Sequence, residues 1–317
     1  MPLDPSRTAF LFPGQGSQAL GMGFALAQEY PTARETFEEA DEILGVSLSR
    51  IAWEGPVEAL DDTINTQPAL FVHSVASLRL FQQTWPDFQP AFVAGHSMGE
   101  LSALVASGSL PFSSTLFLVR RRGELMKEAG TASPGGMAAV IGLDIPTLES
   151  VCEQASTREE VVQVANDNCP GQVVISGAKP ALERAITLAQ QAGARRAVPL
   201  AVSIAAHSPL MAYAQADFNL AVENAPFEDP YLPLVGNVTA QPLINADQVR
   251  ADLQAQLTNR VRWTESIQLM VQSGVQDFIE LGSGNVLSGL VKRIDRQVQT
   301  CTAGTPQDFD QLAGLMA

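Results

Sequence analysis

The chain has 317 residues, of which 46% are hydrophobic and 17% are charged. This composition is typical of a folded globular protein with a sizeable core, and it excludes a disordered chain. A net charge of −15 argues against general nucleic-acid binding, and no apolar run has the length of a membrane span or of a signal peptide. We therefore expect a cytoplasmic protein that binds neither nucleic acid nor membranes.

The cysteines and histidines are too scattered to suggest a metal centre. Cys152, Cys169 and Cys301 are odd in number and lack the paired spacing of zinc ligands, which predicts reduced thiols. The three histidines also lie far apart in the chain. We expect neither a metal ion nor a bound cofactor.

The first part of the chain alternates between strand and helix patterns. A strand leads into a glycine-rich loop in "RTAFLFPGQGSQALGMG", and an amphipathic helix that ends at Gly45 follows in "PTARETFEEADEILG". A buried helix is predicted in "TQPALFVHSVASLRLFQQTW", and a short buried strand at residues 91–94. The next helix, in "PFSSTLFLVRRRGELMKEAG", has apolar residues on one face and arginines on the other.

From about residue 131 the predicted elements follow the order β-α-β-β-α-β, which is the ferredoxin-like arrangement. The last of these strands lies in "ARRAVPLAVS", and further helices and short strands lead to a closing helix in "NVLSGLVKRI". We therefore predict an α/β protein with a large subdomain at residues 1–130 and 204–317. A small subdomain is inserted at residues 131–203.

Residues 95–99, "GHSMG", fit the G-x-S-x-G pattern of a nucleophile elbow, in which a strand turns sharply into a helix. The flanking glycines suit such a turn because a Cβ there would meet the neighbouring strand and helix. An apolar strand pattern precedes this stretch and a buried helix pattern follows it. The context favours Ser97 as a nucleophile over an ordinary turn serine.

A serine hydroxyl is a weak nucleophile until a base accepts its proton, and the chain has three histidines. His96 adjoins Ser97, so its side chain should pack or hydrogen-bond locally, and His73 lies on an apolar helix, which favours a core position. His207 follows a predicted strand at a helix start, where α/β enzymes place functional residues, and it comes after Ser97 as in α/β-hydrolases. We therefore favour His207. The group that orients its ring stays open between an acidic residue, such as Asp167, and a backbone carbonyl.

Acyl transfer also needs two N–H donors for the oxyanion. The amide of Met98, which follows the nucleophile, is one candidate, and the loop around Gln15 offers the other. A phosphate-binding loop is the competing interpretation of this glycine-rich segment. It is disfavoured because both the G-x-G-x-x-G and the Walker lysine patterns are missing.

Six segments, in their order and spacing, closely resemble the bacterial malonyl-CoA:acyl carrier protein transacylases of fatty-acid synthesis and the acyltransferase domains of polyketide synthases. They are "FPGQGSQALGMG", "GHSMGELSALVASG", "RRGELM", "VANDNCPGQVVISG", "SIAAHSPLM" and "ELGSGNVLSGLVKRI". The resemblance covers nearly the whole chain. It implies an α/β-hydrolase-like core with a ferredoxin-like insertion, in agreement with the order of elements predicted above.

The resemblance implies a ping-pong reaction. Ser97 would take the malonyl group from malonyl-CoA, with His207 as general base, and pass it to the phosphopantetheine thiol of an acyl carrier protein. The family's oxyanion donors fall on the amides of Gln15 and Met98. The residue whose backbone carbonyl orients the imidazole falls on Gln256, which would explain why no acidic residue stands in a recognisable motif.

Arg122, in "RRGELM", matches the arginine that holds the free carboxylate of the substrate in this family. A guanidinium binds a carboxylate through two hydrogen bonds, which a neutral acetyl group cannot offer. The alternative is that the three consecutive arginines form a solvated helix face, and we expect this for Arg120 and Arg121. Asn166, with Asn168, matches a conspicuous pair near the family's site and is a further candidate for substrate binding.

The chain departs from the family pattern in two places. Ala205 and Ala206 stand where malonyl-selective members often carry Pro-Ser, so a preference for methylmalonyl-CoA stays open. Residues 282–284 are "GSG" instead of "GPG", which we expect to change the stiffness of the loop more than its chemistry.

Two other function classes stay open, namely an acyl hydrolase or editing enzyme on the same fold and a binding module without activity. Arg122 argues against the hydrolase because plain acyl chains offer no carboxylate. The intact Ser97, His207 and Gln15 argue against the inactive module.

We expect a monomer that docks an acidic carrier protein. Docking to an acidic partner requires a local basic patch on this acidic chain. The candidates for that patch are Lys179, Arg195, Arg196, Lys292, Arg293 and Arg296.

Overall fold

The computed structural model describes residues 2–316, which form two β-sheets and the helices around them. The strands are β1 (Thr8–Phe12), β2 (Phe92–Gly95), β3 (Gly135–Ile141), β4 (Val162–Cys169), β5 (Gln172–Ala178), β6 (Arg196–Pro199), β7 (Leu234–Val235), β8 (Pro242–Leu243), β9 (Asp277–Leu281) and β10 (Gln299–Ala303). The helices are α1 (Phe24–Glu29), α2 (Pro31–Leu44), α3 (Leu48–Glu54), α4 (Val57–Asp61), α5 (Thr63–Thr84), α6 (Gly99–Ala106), α7 (Phe112–Ala132), α8 (Ile145–Ala155), α9 (Lys179–Gln191), α10 (Ala212–Glu223), α11 (Ala246–Gln256), α12 (Trp263–Gln272), α13 (Val286–Ile294) and α14 (Pro306–Met316).

The larger sheet has the strand order β10-β9-β1-β2-β7-β8 and is parallel except for β8, which runs antiparallel to β7. Its central strand β1 is buried on both faces, as expected for a parallel sheet covered by helices. Phe10 and Phe12 pack into one apolar core with α5 and α7, and Ala9 and Leu11 pack into another with α12 and α13. The carboxyl ends of β1 and β2 therefore meet at one edge, where α/β enzymes carry their functional residues.

The smaller sheet has the strand order β4-β5-β3-β6, and all its neighbouring strands are antiparallel. Helices α8 and α9 pack on it through a separate apolar core, to which Leu148 and Ala185 belong. This is the predicted β-α-β-β-α-β unit. The predicted fold class, an α/β protein with an α/β-hydrolase-like core and an inserted ferredoxin-like subdomain, is confirmed, while the subdomain boundaries at residues 130–131 and 203–204 stay a prediction.

Strand β4 ties the small sheet to the rest of the chain. Asn166 forms a parallel β-bridge with Val261, the residue two positions before α12. The amide of Asp167 donates to the Val261 carbonyl at 2.9 Å, and the Val261 amide donates to the Ala165 carbonyl at 2.8 Å. Backbone hydrogen bonds thus fix the position of the insertion relative to the larger sheet.

Some elements differ from the sequence-based expectations. The sequence predicted α13 as the last element of the chain, but β10 and α14 follow it. The β10 sequence "QTCTA" is an edge strand of mostly half-buried residues, so its apolar alternation is weak. We expected His207 to follow a strand directly. Strand β6 instead ends at Pro199, and the irregular residues 200–208 contain His207. Within residues 2–316, every helix is too short or too polar to cross a membrane.

Candidate active site

Ser97 lies in the sharp turn between β2 and α6, with a left-handed φ of 53°. A Cβ on Gly95 would lie 2.0 Å from the backbone of Gly99, and a Cβ on Gly99 would lie 2.0 Å from the carbonyl oxygen of Phe12. Backbone atoms cannot move away as a flexible side chain can, so both positions require glycine. The strained conformation presents the Ser97 hydroxyl at the carboxyl end of the sheet.

Asn237 holds this turn in place. Its side-chain oxygen accepts from the Ser97 amide at 2.7 Å, and its side-chain nitrogen donates to the Gly95 carbonyl at 2.7 Å. The residue is only 1% exposed. Sequence reasoning missed it, although an asparagine two residues after the short strand β7 lies at the same sheet edge as Ser97.

The Ser97 hydroxyl oxygen lies 2.7 Å from Nε2 of His207, which is buried and has a φ of 57°. Nδ1 of the same ring lies 2.9 Å from the backbone carbonyl oxygen of Gln256. A carbonyl only accepts, so Nδ1 carries the ring proton, and Nε2 is free to accept the proton of Ser97. Burial, helped by the positive charge of Arg122, lowers the pKa of His207 to about 3, which keeps the ring neutral.

Of the two alternatives for orienting the histidine, the backbone carbonyl occupies the position. The Asp167 carboxylate instead accepts from the Thr264 hydroxyl at 2.7 Å. It lies where β4 meets α12 and makes no hydrogen bond to His207. The expectation that Asp167 could complete a triad is therefore wrong.

Arg122 projects from α7 into the site and is 1% exposed. Nη1 donates to the Gln67 side chain at 2.8 Å, and Nη2 lies 2.9 Å from the Gln256 side-chain oxygen and 3.2 Å from the Ser97 hydroxyl. These partners are all uncharged, and Nε has no partner among the described residues. Burial lowers the pKa of Arg122 to about 10, so the guanidinium remains charged at neutral pH without a carboxylate partner of its own.

The two preceding arginines behave differently. Arg120 and Arg121 are partly exposed, and Arg121 pairs with Glu124 and Asp217. The solvated-face interpretation therefore applies to these two side chains and not to Arg122.

The glycine-rich loop after β1 lies directly on the elbow, since a Cβ on Gly14 would be 2.4 Å from the His96 carbonyl oxygen. The Gln15 side chain accepts from Thr63, which accepts in turn from Gln67 at 2.9 Å. The loop is thereby linked to the residue that binds Arg122.

The backbone amides of Gln15 and Met98 make no hydrogen bond within residues 2–316. Met98 directly follows the nucleophile, and its side chain is buried. Unpaired amides are what oxyanion donors require, and the assignment of that role to Gln15 and Met98 stays a prediction.

Comparison with known proteins identifies the family of this chain. The model of the acyl transferase domain family matches residues 9–305. The chain belongs to this family. It is 43% identical over 305 residues to a malonyl CoA-acyl carrier protein transacylase of Bacillus subtilis, with 96% of each chain covered.

Two solved structures share the fold of this acyl transferase family member over nearly its whole length. An acyl carrier protein S-malonyltransferase from Vibrio cholerae is 42% identical, with a TM-score of 0.94 and coverage of 97% of this chain and 100% of the other. A malonyl-transacylase solved in complex with a type II polyketide-synthase acyl carrier protein is 40% identical, with a TM-score of 0.94 and coverage of 97% and 99%.

The other histidines of this family member lie outside the Ser97–His207 pair. His96 bonds through Nε2 to the Asn168 side chain at 2.8 Å and contacts the edge of Trp263. His73 lies in the core, with Nε2 donating to the Gly304 carbonyl at 2.9 Å. The Asn166 side chain makes no hydrogen bond within residues 2–316, and its role in substrate binding stays a prediction.

Sequence reasoning also missed Gln163, which holds the backbone of the His207 segment. Gln163 of β4 donates to the backbone carbonyls of His207, at 2.8 Å, and Thr258, at 3.1 Å. A polar side chain facing out of a strand gives no signal that it will hold a loop more than forty residues away.

The two departures from the family pattern take part in tertiary contacts. Ala205 is fully buried against Gly135, where a Cβ would lie 2.6 Å from the alanine side chain. Ser283 donates its hydroxyl to the Ser17 carbonyl at 2.7 Å, so "GSG" ties the loop after β9 to the loop after β1.

Within residues 2–316, no group of three or more histidine, cysteine and acidic side chains is arranged to hold a metal ion. The three cysteines are free, and burial raises the pKa of Cys152 and Cys301 to about 12. Burial also raises the pKa of Cys169, so all three thiols are poor nucleophiles at neutral pH, whereas the Ser97 hydroxyl is hydrogen-bonded to His207.

Proposed function

We propose that the chain transfers a malonyl group from malonyl-CoA to the phosphopantetheine thiol of an acyl carrier protein, for fatty-acid or polyketide synthesis. The reaction passes through a malonyl-serine at Ser97. The observation that carries this proposal is the buried guanidinium of Arg122, which lies 3.2 Å from the nucleophile and has no carboxylate partner.

In the first half-reaction, the Ser97 oxygen attacks the thioester carbonyl while Nε2 of His207 accepts the hydroxyl proton. The negative charge of the tetrahedral intermediate falls on the carbonyl oxygen, where the amides of Gln15 and Met98 bind it. The C–S bond then breaks, and the coenzyme A sulfur leaves with the proton from His207. The carbonyl of Gln256 keeps the imidazole in the tautomer that both proton transfers need.

The second half-reaction reverses these roles. His207 accepts the proton of the carrier's thiol, the sulfur attacks the malonyl-serine, and the proton returns to Ser97 as the ester bond breaks. Water must not compete with the thiol, so the acyl-serine should be long-lived until a carrier binds. This lifetime separates a transferase from a hydrolase on the same fold.

Arg122 gives the selectivity for a substrate that bears a free carboxylate. The malonyl carboxylate would form a bidentate pair with the guanidinium, whereas an acetyl group would leave a buried cation unpaired. We propose that Asn166 contributes to the same substrate pocket.

The test is intact-protein mass spectrometry after mixing with malonyl-, methylmalonyl- and acetyl-CoA in competition. We expect a stable malonyl adduct that is absent from Ser97→Ala and disappears when carrier protein is added. Rapid release of free malonate without an adduct would identify a hydrolase instead. A dominant methylmalonyl adduct would contradict malonyl selectivity.

We propose that the carrier docks where basic residues at the start of β6 and in α13 come together, namely Arg195, directly before β6, and Arg293. Arg293 bonds to the Gln172 side chain at the start of β5, and the Arg195 side chain lies against Gly142 at the end of β3, which pairs with that start. Lys179 follows the other end of β5. At 3.3 Å per residue, that end lies about 20 Å from Gln172. We therefore leave Lys179 out of the docking patch.

Charge reversal tests this surface. Arg195→Glu combined with Arg293→Glu should raise the carrier's KM and leave the rate of malonyl-serine formation unchanged, because only the second half-reaction involves the carrier. Lys179→Glu is the matched control at the other end of β5. An unchanged KM in the double variant, or an equal rise in the control, would contradict the assignment.

We also propose that the protein is a cytoplasmic monomer. Three free cysteines suit a reducing compartment. Light scattering during size-exclusion chromatography would give about 34 kDa for a monomer, from a chain mass of 33.8 kDa, and twice that value would contradict it.

A further inference from the structure

Behind the catalytic residues lies a buried pair of carboxyl groups, Glu100 in the first turn of α6 and Asp252 in α11. Glu100 is 0% exposed and Asp252 is 3% exposed. One Glu100 oxygen, Oε2, accepts from the side-chain nitrogen of Gln256 at 2.5 Å, while Oε1 receives no hydrogen bond from any donor in residues 2–316. The two side chains are within hydrogen-bonding reach of each other, and two buried carboxyl groups so close cannot both carry a charge without a large cost.

Asp252 receives three hydrogen bonds, whereas Glu100 receives one. Asp252 accepts from the Val238 amide at 3.1 Å, the Thr239 amide at 3.0 Å and the Thr239 hydroxyl at 2.9 Å. Three donors on one carboxylate stabilise its charged form. The single proton of the pair therefore belongs on Glu100, where burial and the negative charge of Asp252 raise the pKa well above its usual range. Within residues 2–316, the other charged group that acts on Glu100 is Arg122 of α7.

We propose that Glu100 is a neutral positioning residue, which donates its proton to Asp252 through Oε1 and holds the side-chain amide of Gln256 through Oε2. This inference rests on the malonyl-transfer function proposed above. The amide nitrogen of Gln256 donates both to Glu100 and to the Ser97 carbonyl, the latter at 3.0 Å. With both hydrogens in use, the amide oxygen faces Arg122 at 2.9 Å.

The orientation of this amide matters because a flipped Gln256 would turn its NH₂ group toward the guanidinium. Two donors would then face each other, and Arg122 would lose its place beside Ser97. Gln256 also orients His207 through its backbone carbonyl, so one residue positions both the base and the carboxylate-binding cation. Glu100 therefore fixes the orientation of the Gln256 side chain.

The neutral state of Glu100 has a second consequence. An ionised Glu100 would supply a buried negative charge next to Arg122 and would compete with the malonyl carboxylate. A protonated Glu100 keeps the hydrogen bond to Gln256 but adds no charge. The substrate carboxylate is then the anion that completes the site.

The test compares Glu100→Gln with Glu100→Ala. The glutamine has the shape and hydrogen-bonding pattern of a protonated glutamate, because its NH₂ can donate to Asp252 and its oxygen can accept from Gln256. For Glu100→Gln we expect the ratio of kcat/KM for malonyl-CoA over acetyl-CoA to stay within about threefold of the wild type, since both hydrogen bonds persist. For Glu100→Ala the ratio should fall by roughly tenfold or more, since the Gln256 amide is released. An unchanged ratio in a folded Glu100→Ala would overturn the proposal, as would an equal loss in both variants.

Infrared spectroscopy of the wild type at neutral pH gives a readout that does not depend on activity. A protonated carboxyl group has a C=O stretching band that carboxylates lack, and this band should disappear in Glu100→Gln. An unchanged spectrum would contradict the neutral state of Glu100, even if the alanine variant fails to fold. If the wild type formed no malonyl adduct, the proposed function would fail, while the infrared band would still report on the carboxyl pair.

Discussion

At the scale of single residues, the Ser97 hydroxyl oxygen has two polar neighbours of different kinds. His207 Nε2 lies at 2.7 Å and is a neutral acceptor, whereas Arg122 Nη2 lies at 3.2 Å and is a charged donor. His207 can accept the hydroxyl proton, and Arg122 can bind an anionic group of the acyl chain. Their different charge states follow from burial, which lowers both pKa values but from starting points of 6.5 and 12.5.

We expect Arg122→Ala to lower kcat/KM for malonyl-CoA by about a hundredfold or more, since hydrogen bonds to charged groups contribute roughly 1.5–3 kcal/mol each. Activity with acetyl-CoA should fall far less, and steady-state kinetics with both thioesters would measure the change in preference. Arg121→Ala is the matched control, because its side chain is 39% exposed and forms surface ion pairs of small energetic value. Retained malonyl preference in Arg122→Ala would contradict the role of this residue.

The rate of malonyl-serine formation should be independent of pH between about 5 and 8, because a base is active in its neutral form and the pKa of His207 is about 3. Rapid-quench measurements at saturating malonyl-CoA would give this profile. A rate that falls with a midpoint near the ordinary histidine value of 6.5 would show that the ring is protonated more easily than its surroundings indicate.

At the scale of elements, the site depends on how closely β2, α6 and the loop after β1 approach one another. Gly95 and Gly99 are required by backbone atoms of neighbouring segments, and Asn237 closes the turn from the next strand along the sheet. The elbow is therefore a property of three segments and not of its five-residue motif alone.

Gly99→Ala should prevent correct assembly of the elbow, because its Cβ would lie 2.0 Å from the Phe12 carbonyl oxygen. Gly289→Ala is the matched control, since this exposed glycine of α13 has no atom within 4 Å of an added Cβ. The control should raise the free energy of unfolding by about 0.5–1 kcal/mol because alanine favours helix. Urea unfolding would compare the two variants, and equal stability would contradict the close approach.

At the scale of the whole molecule, the small sheet contributes to a site built on the large one. Gln163 of β4 holds the backbone of His207, and Asn168 at the end of β4 holds His96 next to the nucleophile. The insertion therefore supports the base, whose segment at residues 200–208 has no helix or strand of its own.

Gln163→Ala should lower the rate of malonyl-serine formation by roughly tenfold, since the hydrogen bonds to the His207 and Thr258 carbonyls are lost at about 1 kcal/mol each. Gln154→Ala, an exposed change on α8, should leave the rate unaltered. Single-turnover kinetics and thermal unfolding of both variants would separate a positioning effect from general destabilisation. A lower melting temperature at an unchanged rate would assign Gln163 to stability alone.

The part of the stability that depends on the buried histidines His207 and His73 should fall as the pH falls below 6.5. Burial lowers the pKa of His207 to about 3 and that of His73 to about 4, from an ordinary value of 6.5. Between those values the unfolded chain carries protons on these two histidines that the folded chain does not, so their contribution to stability rises with pH, whereas Glu100, whose pKa burial raises, contributes a slope of the opposite sign. Urea unfolding from pH 7 to pH 4 would measure the slope, and His73→Gln should make it shallower. A slope unaffected by that substitution would contradict the buried neutral state of His73.

The sequence by itself determined the fold class, the family and the identity of Ser97, His207 and Arg122 as candidates, because these depend on periodicity and on motifs a few residues long. It also predicted the contact between Gln256 and His207, but only through resemblance to the family. Only the tertiary structure identified Asn237, Gln163 and the pair of Glu100 with Asp252, and only it removed Asp167 from the site. These residues act across more than ten and up to 156 positions of chain, and a polar side chain carries no local signal of the distant group that it will meet when the sheets assemble.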